Sequence, residues 1–146
     1  LKHIGKIYPK ILPEDIVLIS LRDYEKEEKS LIEKLGIKVI TTAEVRRNGA
    51  ESICRKVLRY LSECTDIYVS FDVDCLDASI SRGTGTPVSN GLKEREVEDI
   101  ISKFMQNRKI CCFEITEVNP TLDKENLMAE IAFNILQRSV NVLMMN

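Results

Sequence analysis

The sequence lacks any apolar run near the roughly 20 residues that a membrane-spanning helix needs, and it has no C-x-x-C pair. Its N-terminus also lacks the basic-then-apolar pattern of a signal peptide. Without paired cysteine spacing a zinc cluster is not indicated, and five cysteines are an awkward number for a disulfide framework. We therefore expect a cytoplasmic protein with no membrane partner.

Neither sign of charge is in excess, because 21 Lys and Arg face 23 Asp and Glu. Such a balance gives no electrostatic reason to expect nucleic acid or an anionic surface as a partner. A chain of 146 residues fits one domain with a real core. Residues 1–15 have no clear periodicity and begin with Leu rather than Met, so we expect an irregular lead-in to a fragment of a longer protein.

Apolar runs typical of buried strands alternate with segments of helical periodicity. The predicted strands are 16–20, 37–41, 67–71 and 110–115, and the predicted helices are 24–35, 50–63, about 97–104, and one after Asp123 with Leu127, Ile131 and Ile135 on one face. Strands that are apolar throughout and separated by helices imply a parallel sheet covered on both faces. The predicted fold class is α/β, with three α/β/α layers and a mainly parallel sheet.

Ligands of open parallel sheets bind outside the carboxyl ends of the strands, so chemistry is expected in the loops that follow them. The third predicted strand lies in IYVSFDVDCLD, residues 67–77. If it stays extended, Asp72 and Asp74 point the same way, with Cα atoms ~6.6 Å apart. A divalent cation would compensate these carboxylates. Alternatively, both are N-cap or turn residues, and Asp77 is more typical of a turn.

Two further segments follow. GTGTPVSNGL, residues 83–92, must turn sharply, although on its own it is typical of a flexible connection. In ICCFEITEVNPTLD, residues 110–123, Glu114 and Glu117 lie at and beyond the end of a strand. One of these carboxylates could serve the structure and the other a cationic substrate.

In this order the three segments resemble motifs of the ureohydrolase family, the arginase and agmatinase enzymes. SFDVDCLD resembles the family's S-[FI]-D-V-D-x-x-D strand, GTGTPVSNGL its T-G-T-P loop, and EITEVNPTLD its E-V-N-P segment. Upstream, LRDYEKEEKSLIEKLGIKVIT resembles the arginase stretch that begins Arg-Asp and ends in Leu-Gly-Ile-Lys. The likeness covers about residues 16–137. It implies the arginase/deacetylase-like fold, with residues 1–146 as the C-terminal portion of one such domain.

The resemblance implies a chemistry as well. In this family two manganese ions activate a water, and the resulting hydroxide attacks the guanidinium carbon of the substrate to release urea. By resemblance, Asp72 bridges the two ions and Asp74 binds one of them. Glu117 is the catalytic carboxylate that pairs with the substrate guanidinium. Thr86 lies near the site, and Glu25 and Glu28 fall where arginases recognise the amino end of the substrate.

Some family features are missing. The family takes further metal ligands from an earlier histidine and a D-A-H-x-D segment, whereas His3 is the only histidine here and matches neither motif. With two of six usual ligands, the chain alone is expected to bind manganese weakly and to be inactive. Smaller departures are Asp77-Ala78 for Asp-Pro, Glu25 for the usual Asp, and Asn90-Gly91 for Gly-Gly.

Several alternatives stay open. Within the family, the substrate could be that of an agmatinase or formimidoylglutamase, although E-V-N-P-T-L and the acidic residues at 25 and 28 favour arginase. Outside it, the chain could be a non-catalytic α/β assembly module or, less consistently with its motif position, a haloacid-dehalogenase-like phosphatase. The expected partners are a small guanidino substrate and further copies of the chain, since trimers or hexamers are usual in the family.

Overall fold

The computed structural model describes residues 4–145, so the predictions for His3 lie outside the described residues. In chain order the regular elements are β1 (Val17–Ile19), α1 (Lys26–Leu35), β2 (Lys38–Ile40), α2 (Thr42–Tyr60), β3 (Ile67–Asp72), α3 (Glu94–Met105), β4 (Ile110–Thr116) and α4 (Leu127–Met144). Short 3-10 turns occupy Pro13–Asp15, Val73–Cys75 and Lys124–Asn126. None of the described helices is both long enough and apolar enough to cross a membrane.

Local signals explain where most elements begin and end. Helix α1 stops at Gly36, whose φ of 67° lies in the left-handed region that glycine adopts without penalty. Helix α2 begins at Thr42 and not near residue 50 as predicted, because the Thr41 hydroxyl accepts a hydrogen bond from the Glu44 N–H at 3.2 Å. A kink within α2 lies at Gly49 (φ 73°, ψ 161°), one residue before the predicted start of the helix.

The strands pair in parallel, which confirms the α/β class, but they form two sheets in the described part of the chain. Strand β1 pairs with β2, and β3 pairs with β4. The register of the second sheet places Ser70 opposite Glu114 and Asp72 opposite Thr116. The carboxyl ends of β3 and β4 therefore meet at one edge, where the predicted site residues leave the sheet.

The core lies between the sheets and three helices. Helix α3 packs against both α2 and α4, whereas α1 contributes no buried residue. Along β3, Ile67 and Phe71 are buried while Tyr68 and Ser70 are exposed, so one face of this strand is covered and the other is open. On the predicted face of α4, Ile131 and Ile135 are buried, but Leu127 is 42% exposed. Met128, one position later, is buried instead.

Candidate active site

The two aspartates lie in a turn. Strand β3 ends at Asp72, close to the predicted end at residue 71, and Val73–Cys75 form a 3-10 turn, so the strand does not stay extended through Asp74. The turn is closed by the Asp74 N–H, which donates to Asp72 Oδ1 at 2.9 Å. Val73 anchors it with a fully buried side chain. The N-cap role considered for Asp72 is thus present, and it holds the two carboxylates beside each other.

The electrostatics of this turn are unusual for a surface carboxylate. Burial raises the pKa of Asp72 from 3.8 to about 6. The hydrogen bond from the Asp74 backbone opposes that rise, whereas the charges of Asp74 and Glu117 add to it. Three carboxylates at the carboxyl ends of β3 and β4 therefore share one electrostatic environment, and a perturbed acid in such a cluster is a typical property of functional sites.

The loop of residues 83–92 is fixed against this turn and is not a flexible connection. The Thr86 hydroxyl donates to Asp74 Oδ2 at 3.3 Å, and the Leu92 N–H donates to the Cys75 carbonyl at 2.9 Å. At Gly91 an added Cβ would lie 2.4 Å from the carbonyl carbon and oxygen of Leu76, so only glycine fits. The sequence motif therefore encodes a close approach of two backbones beside the aspartates.

The departure at position 78 is consistent with the contact between this turn and the loop. Asp77 Oδ1 accepts hydrogen bonds from the hydroxyl and N–H of Ser79, and the hydroxyl bond contributes most to lowering the Asp77 pKa. Its other oxygen accepts the Gly91 N–H at 3.2 Å. The Ala78 N–H donates to the Val88 carbonyl at 3.2 Å, a bond that a proline here could not make. Asp77 is a turn former, as its position indicated.

The segment after β4 completes the edge. Glu117 has a φ of 65°, a left-handed conformation that is uncommon for a side chain of this kind. Beyond it, the Asn119 N–H donates to the Gly83 carbonyl at 2.7 Å, which joins the E-V-N-P segment to the T-G-T-P loop. Glu114 serves the sheet, because its carboxylate accepts the Ser70 hydroxyl at 2.8 Å. Of the two glutamates, Glu117 is therefore the one available to a ligand.

The remaining predicted residues make no polar contact with this cluster in the described part of the chain. Glu25 and Glu28 are at the start of α1, where Glu28 Oε2 accepts the Glu25 N–H at 2.9 Å. Within residues 4–145, no hydrogen bond or ion pair joins either glutamate to Asp72, Asp74, Thr86 or Glu117. Their role in substrate recognition stays a prediction, and the contact that is present is a helix cap.

Sequence reasoning missed Arg22. Its side chain follows β1 and donates to the carbonyls of Asp74 at 2.6 Å and of Leu76 and Val88 at 2.9 Å each. Arg22 opens the Arg-Asp stretch that resembles arginases, but neither that resemblance nor its position at the end of a strand indicated these contacts. A cleft of about 450 Å³ between α2 and α3, lined in part by Glu51, Arg55 and Lys103, lies elsewhere and contains none of the predicted site residues.

The donor set fits part of a manganese site. Carboxylate oxygens such as those of Asp72 and Asp74 are hard ligands suited to a divalent cation. Burial raises the Asp72 pKa, and a positive charge beside the carboxylate would lower it again. No group of three or more His, Cys, Asp and Glu in the described residues has the geometry to hold a metal ion. The described chain thus offers a pair of ligands and not a complete shell.

The chain matches a known protein family over most of its length. The model of the Arginase family matches residues 4–140. The chain belongs to the arginase family. The arginase of Bacillus caldovelox is 39% identical to it over 137 residues, and that of Brevibacillus brevis is 34% identical over 137 residues.

Solved arginases have a similar backbone over nearly the whole length of this chain. The Bacillus caldovelox arginase superposes with a TM-score of 0.87 at 37% identity and covers 95% of this chain. The Bacillus subtilis arginase gives 0.86 at 34% identity and covers 92%. In both the match extends over about half of the relative, 47% and 50% of its length. The curated relatives give the same result, since the chain spans 46% of each. The predicted arginase-like fold is confirmed as a partial one.

Proposed function

We propose that this chain carries part of the active site of a manganese-dependent hydrolase of guanidino substrates, most consistent with conversion of L-arginine to L-ornithine and urea. The observation that carries the proposal is the cluster of Asp72, Asp74, Thr86 and Glu117 at the shared edge of β3 and β4, with an Asp72 pKa raised to about 6. Membership of the arginase family supports the reaction class.

Each residue of the cluster has a distinct task in this proposal. Asp72 and Asp74 would hold the manganese ions, which when bound supply an activated water. Glu117 orients the substrate, because a carboxylate can accept two parallel hydrogen bonds from a planar guanidinium. Thr86 holds the Asp74 carboxylate through its hydroxyl. The left-handed backbone at Glu117 supports an assignment to function, since such conformations persist where the surroundings enforce them.

We further propose that the chain alone is inactive. Two carboxylates provide too few ligands to hold two manganese ions tightly, and the chain spans about half the length of its relatives. The test is urea release from L-arginine with manganese, by the chain alone and by the chain co-expressed with the part of the Bacillus caldovelox arginase that it does not match. The two separated halves of the Bacillus caldovelox enzyme are the positive control for assembly.

We expect urea release by the hybrid and none by the chain alone. Activity of the chain alone at a rate typical of enzymes would refute the incomplete site. A hybrid that assembles but stays inactive, while the control pair works, would instead favour a non-catalytic assembly module. That reading has one observation in its favour, the absence of a three-ligand cluster in residues 4–145. Agmatine and formimidoylglutamate, assayed beside L-arginine, decide the substrate.

We also propose that the protein is cytoplasmic and forms homo-oligomers. All five cysteines are free, which is consistent with a reducing compartment. On α4, Phe133, Leu136, Val140 and Leu143 form an exposed apolar stripe with helical spacing, a surface typical of a protein interface. Light scattering after size-exclusion chromatography tests the second point, and a monodisperse monomer would contradict it.

A further inference from the structure

Arg22 connects parts of the molecule that no strand pairing joins. Within residues 4–145, no backbone ladder links the sheet of β1 and β2 to the sheet of β3 and β4. Arg22 leaves the end of β1, and its guanidinium reaches the turn after β3. The charged group has no carboxylate partner in this part of the chain, and the hydrogen bonds that it makes go to main-chain carbonyls.

The backbone just before Arg22 is held in place by hydrogen bonds. Two residues before it, Ser20 is buried and has a left-handed φ of 66°. The Ser20 N–H donates to the Ile40 carbonyl at 2.8 Å, and its hydroxyl lies 2.8 Å from that of Thr42. These contacts fix the end of β1 to the end of β2. The direction in which Arg22 leaves the sheet is therefore set by the fold.

The head of the side chain lies on both segments of the candidate metal site. Nη2 donates to the carbonyls of Asp74 and Leu76 in the turn, and to the carbonyl of Val88 in the loop. Nε lies 3.3 Å from the Ser89 carbonyl. The hydrogen bond between Thr86 and Asp74 spans the same two segments. A planar guanidinium with several fixed donors can hold two backbones in register, whereas an ammonium group acts as a point charge.

We propose that Arg22 is a positioning residue of the metal site. By clamping the Asp74 turn to the loop of Thr86, it sets the direction of the Asp74 carboxylate and so the affinity for manganese. This inference rests on the proposed function for its effect on the metal, whereas the clamp itself is a property of the chain alone. Ligand-orienting groups of this kind typically change metal affinity by about 10- to 100-fold.

The first experiment uses the 146-residue chain without metal. In Arg22→Met, a side chain of similar length without donors, amide hydrogen exchange should accelerate at Ala78 and Leu92, whose N–H groups join the turn to the loop. The amides of α3 and α4 should keep their rates. Arg55→Met is the matched control, because Arg55 is an exposed arginine paired with Glu51 on α2. Uniform acceleration over the whole chain would show general destabilisation and overturn the clamp.

The second experiment measures manganese affinity in the hybrid described above, by electron paramagnetic resonance of free Mn²⁺. We expect about 10- to 100-fold weaker binding in Arg22→Met, with most of kcat recovered at saturating manganese because the Arg22 donors are engaged by main-chain carbonyls. Arg22→Lys separates the two possible causes. It keeps the charge and loses the fork, so we expect it to resemble Arg22→Met; an affinity equal to that of the unmodified chain would overturn the proposal.

Failure of the Arg22 proposal can be distinguished from failure of the proposed function. If the unmodified hybrid binds manganese but releases no urea, the hydrolase proposal fails while the manganese affinities still decide the role of Arg22. If hydrogen exchange changes locally but the manganese affinity does not, the clamp exists and the positioning role is wrong.

Discussion

Two acidic pairs of similar spacing have opposite surroundings in this molecule. Asp72 and Asp74 follow β3, where the turn and the loop of residues 83–92 enclose them and burial raises the Asp72 pKa to about 6. Glu25 and Glu28 lie at the exposed start of α1, and Glu28 caps the helix. The difference teaches that the backbone which surrounds a carboxylate, more than its residue type or spacing, decides whether it is enclosed beside other carboxylates or exposed at the start of a helix.

The largest expected effect removes a proposed metal ligand from the half-buried pair. Asp72→Asn in the active hybrid should lower kcat/KM on the order of 1,000-fold, because a group that stabilises developing charge is typically worth that much. Urea release with saturating manganese measures the effect. The control is Asp66→Asn, which changes an exposed aspartate contacted by Thr65 and should leave activity unaltered. Equal activity of the Asp72 and Asp66 variants would remove Asp72 from the site.

The second prediction compares the backbones around the two pairs. Gly91→Ala places a Cβ against the backbone of Leu76 and Asp77, so we expect a loss of about 3 kcal/mol of unfolding free energy. Gly36→Ala, at the end of α1, meets no atom within 4 Å but keeps a left-handed φ, and should cost about 1 kcal/mol.

Urea denaturation of the purified chain measures both values. Gly85→Ala is the control, since nothing lies within 4 Å of its added Cβ and no left-handed φ is present, so no change is expected. If Gly91→Ala were as harmless as Gly85→Ala, the loop would not be fixed against the turn, and the contrast between the two acidic regions would disappear.

Much of this contrast was visible in the sequence, and the part that was not has a physical reason. The strand and helix alternation predicted the α/β class, and the motifs predicted which segments meet at the sheet edge. The sequence did not predict the 3-10 turn that begins at Val73, because alternation along a strand holds only while the strand stays extended. Nor did it predict the left-handed backbone of Glu117, a conformation imposed by tertiary surroundings.

The same limit applies to the contacts of single residues. The start of α2 could have been predicted from the Thr41 and Glu44 spacing, which is that of a capping box. The bonds of Arg22 to carbonyls more than 50 positions away could not, since no local pattern accompanies them. The division into two sheets could not be predicted either, because strand order depends on which strands are neighbours in space.

The third prediction concerns the pH dependence of stability that Asp72, in the half-buried pair, introduces. The folded-state pKa of Asp72 is raised to about 6 from 3.8, so the unfolded chain loses this proton first, and the carboxyl destabilises the fold as pH rises between these values. A shift of this size corresponds to about 3 kcal/mol, and solvent screening of a half-buried group leaves about 1 kcal/mol. Asp72→Asn should therefore stabilise the metal-free chain by about 1 kcal/mol at neutral pH.

The control for this prediction is the same measurement at acidic pH. At about pH 4 the aspartate is protonated in the folded state, so the same substitution should be nearly neutral there. The asparagine amide oxygen can still accept the Asp74 N–H, which keeps the turn intact. Denaturation curves at the two pH values measure the difference, and a stabilisation that is the same at both would show that charge is not its cause.

The smallest expected effect tests the exposed pair. Glu28→Ala removes the acceptor of the Glu25 N–H and should cost about 0.5 kcal/mol of unfolding free energy. Glu28→Gln keeps an acceptor and removes the charge, so its stability should be unchanged. The two variants separate a cap from a substrate contact when KM for L-arginine is measured in the hybrid. If KM rises in Glu28→Gln while stability does not change, the charge contacts the substrate. If KM is constant in both variants, Glu28 is only a cap, and the contrast with Asp72 and Asp74 is complete.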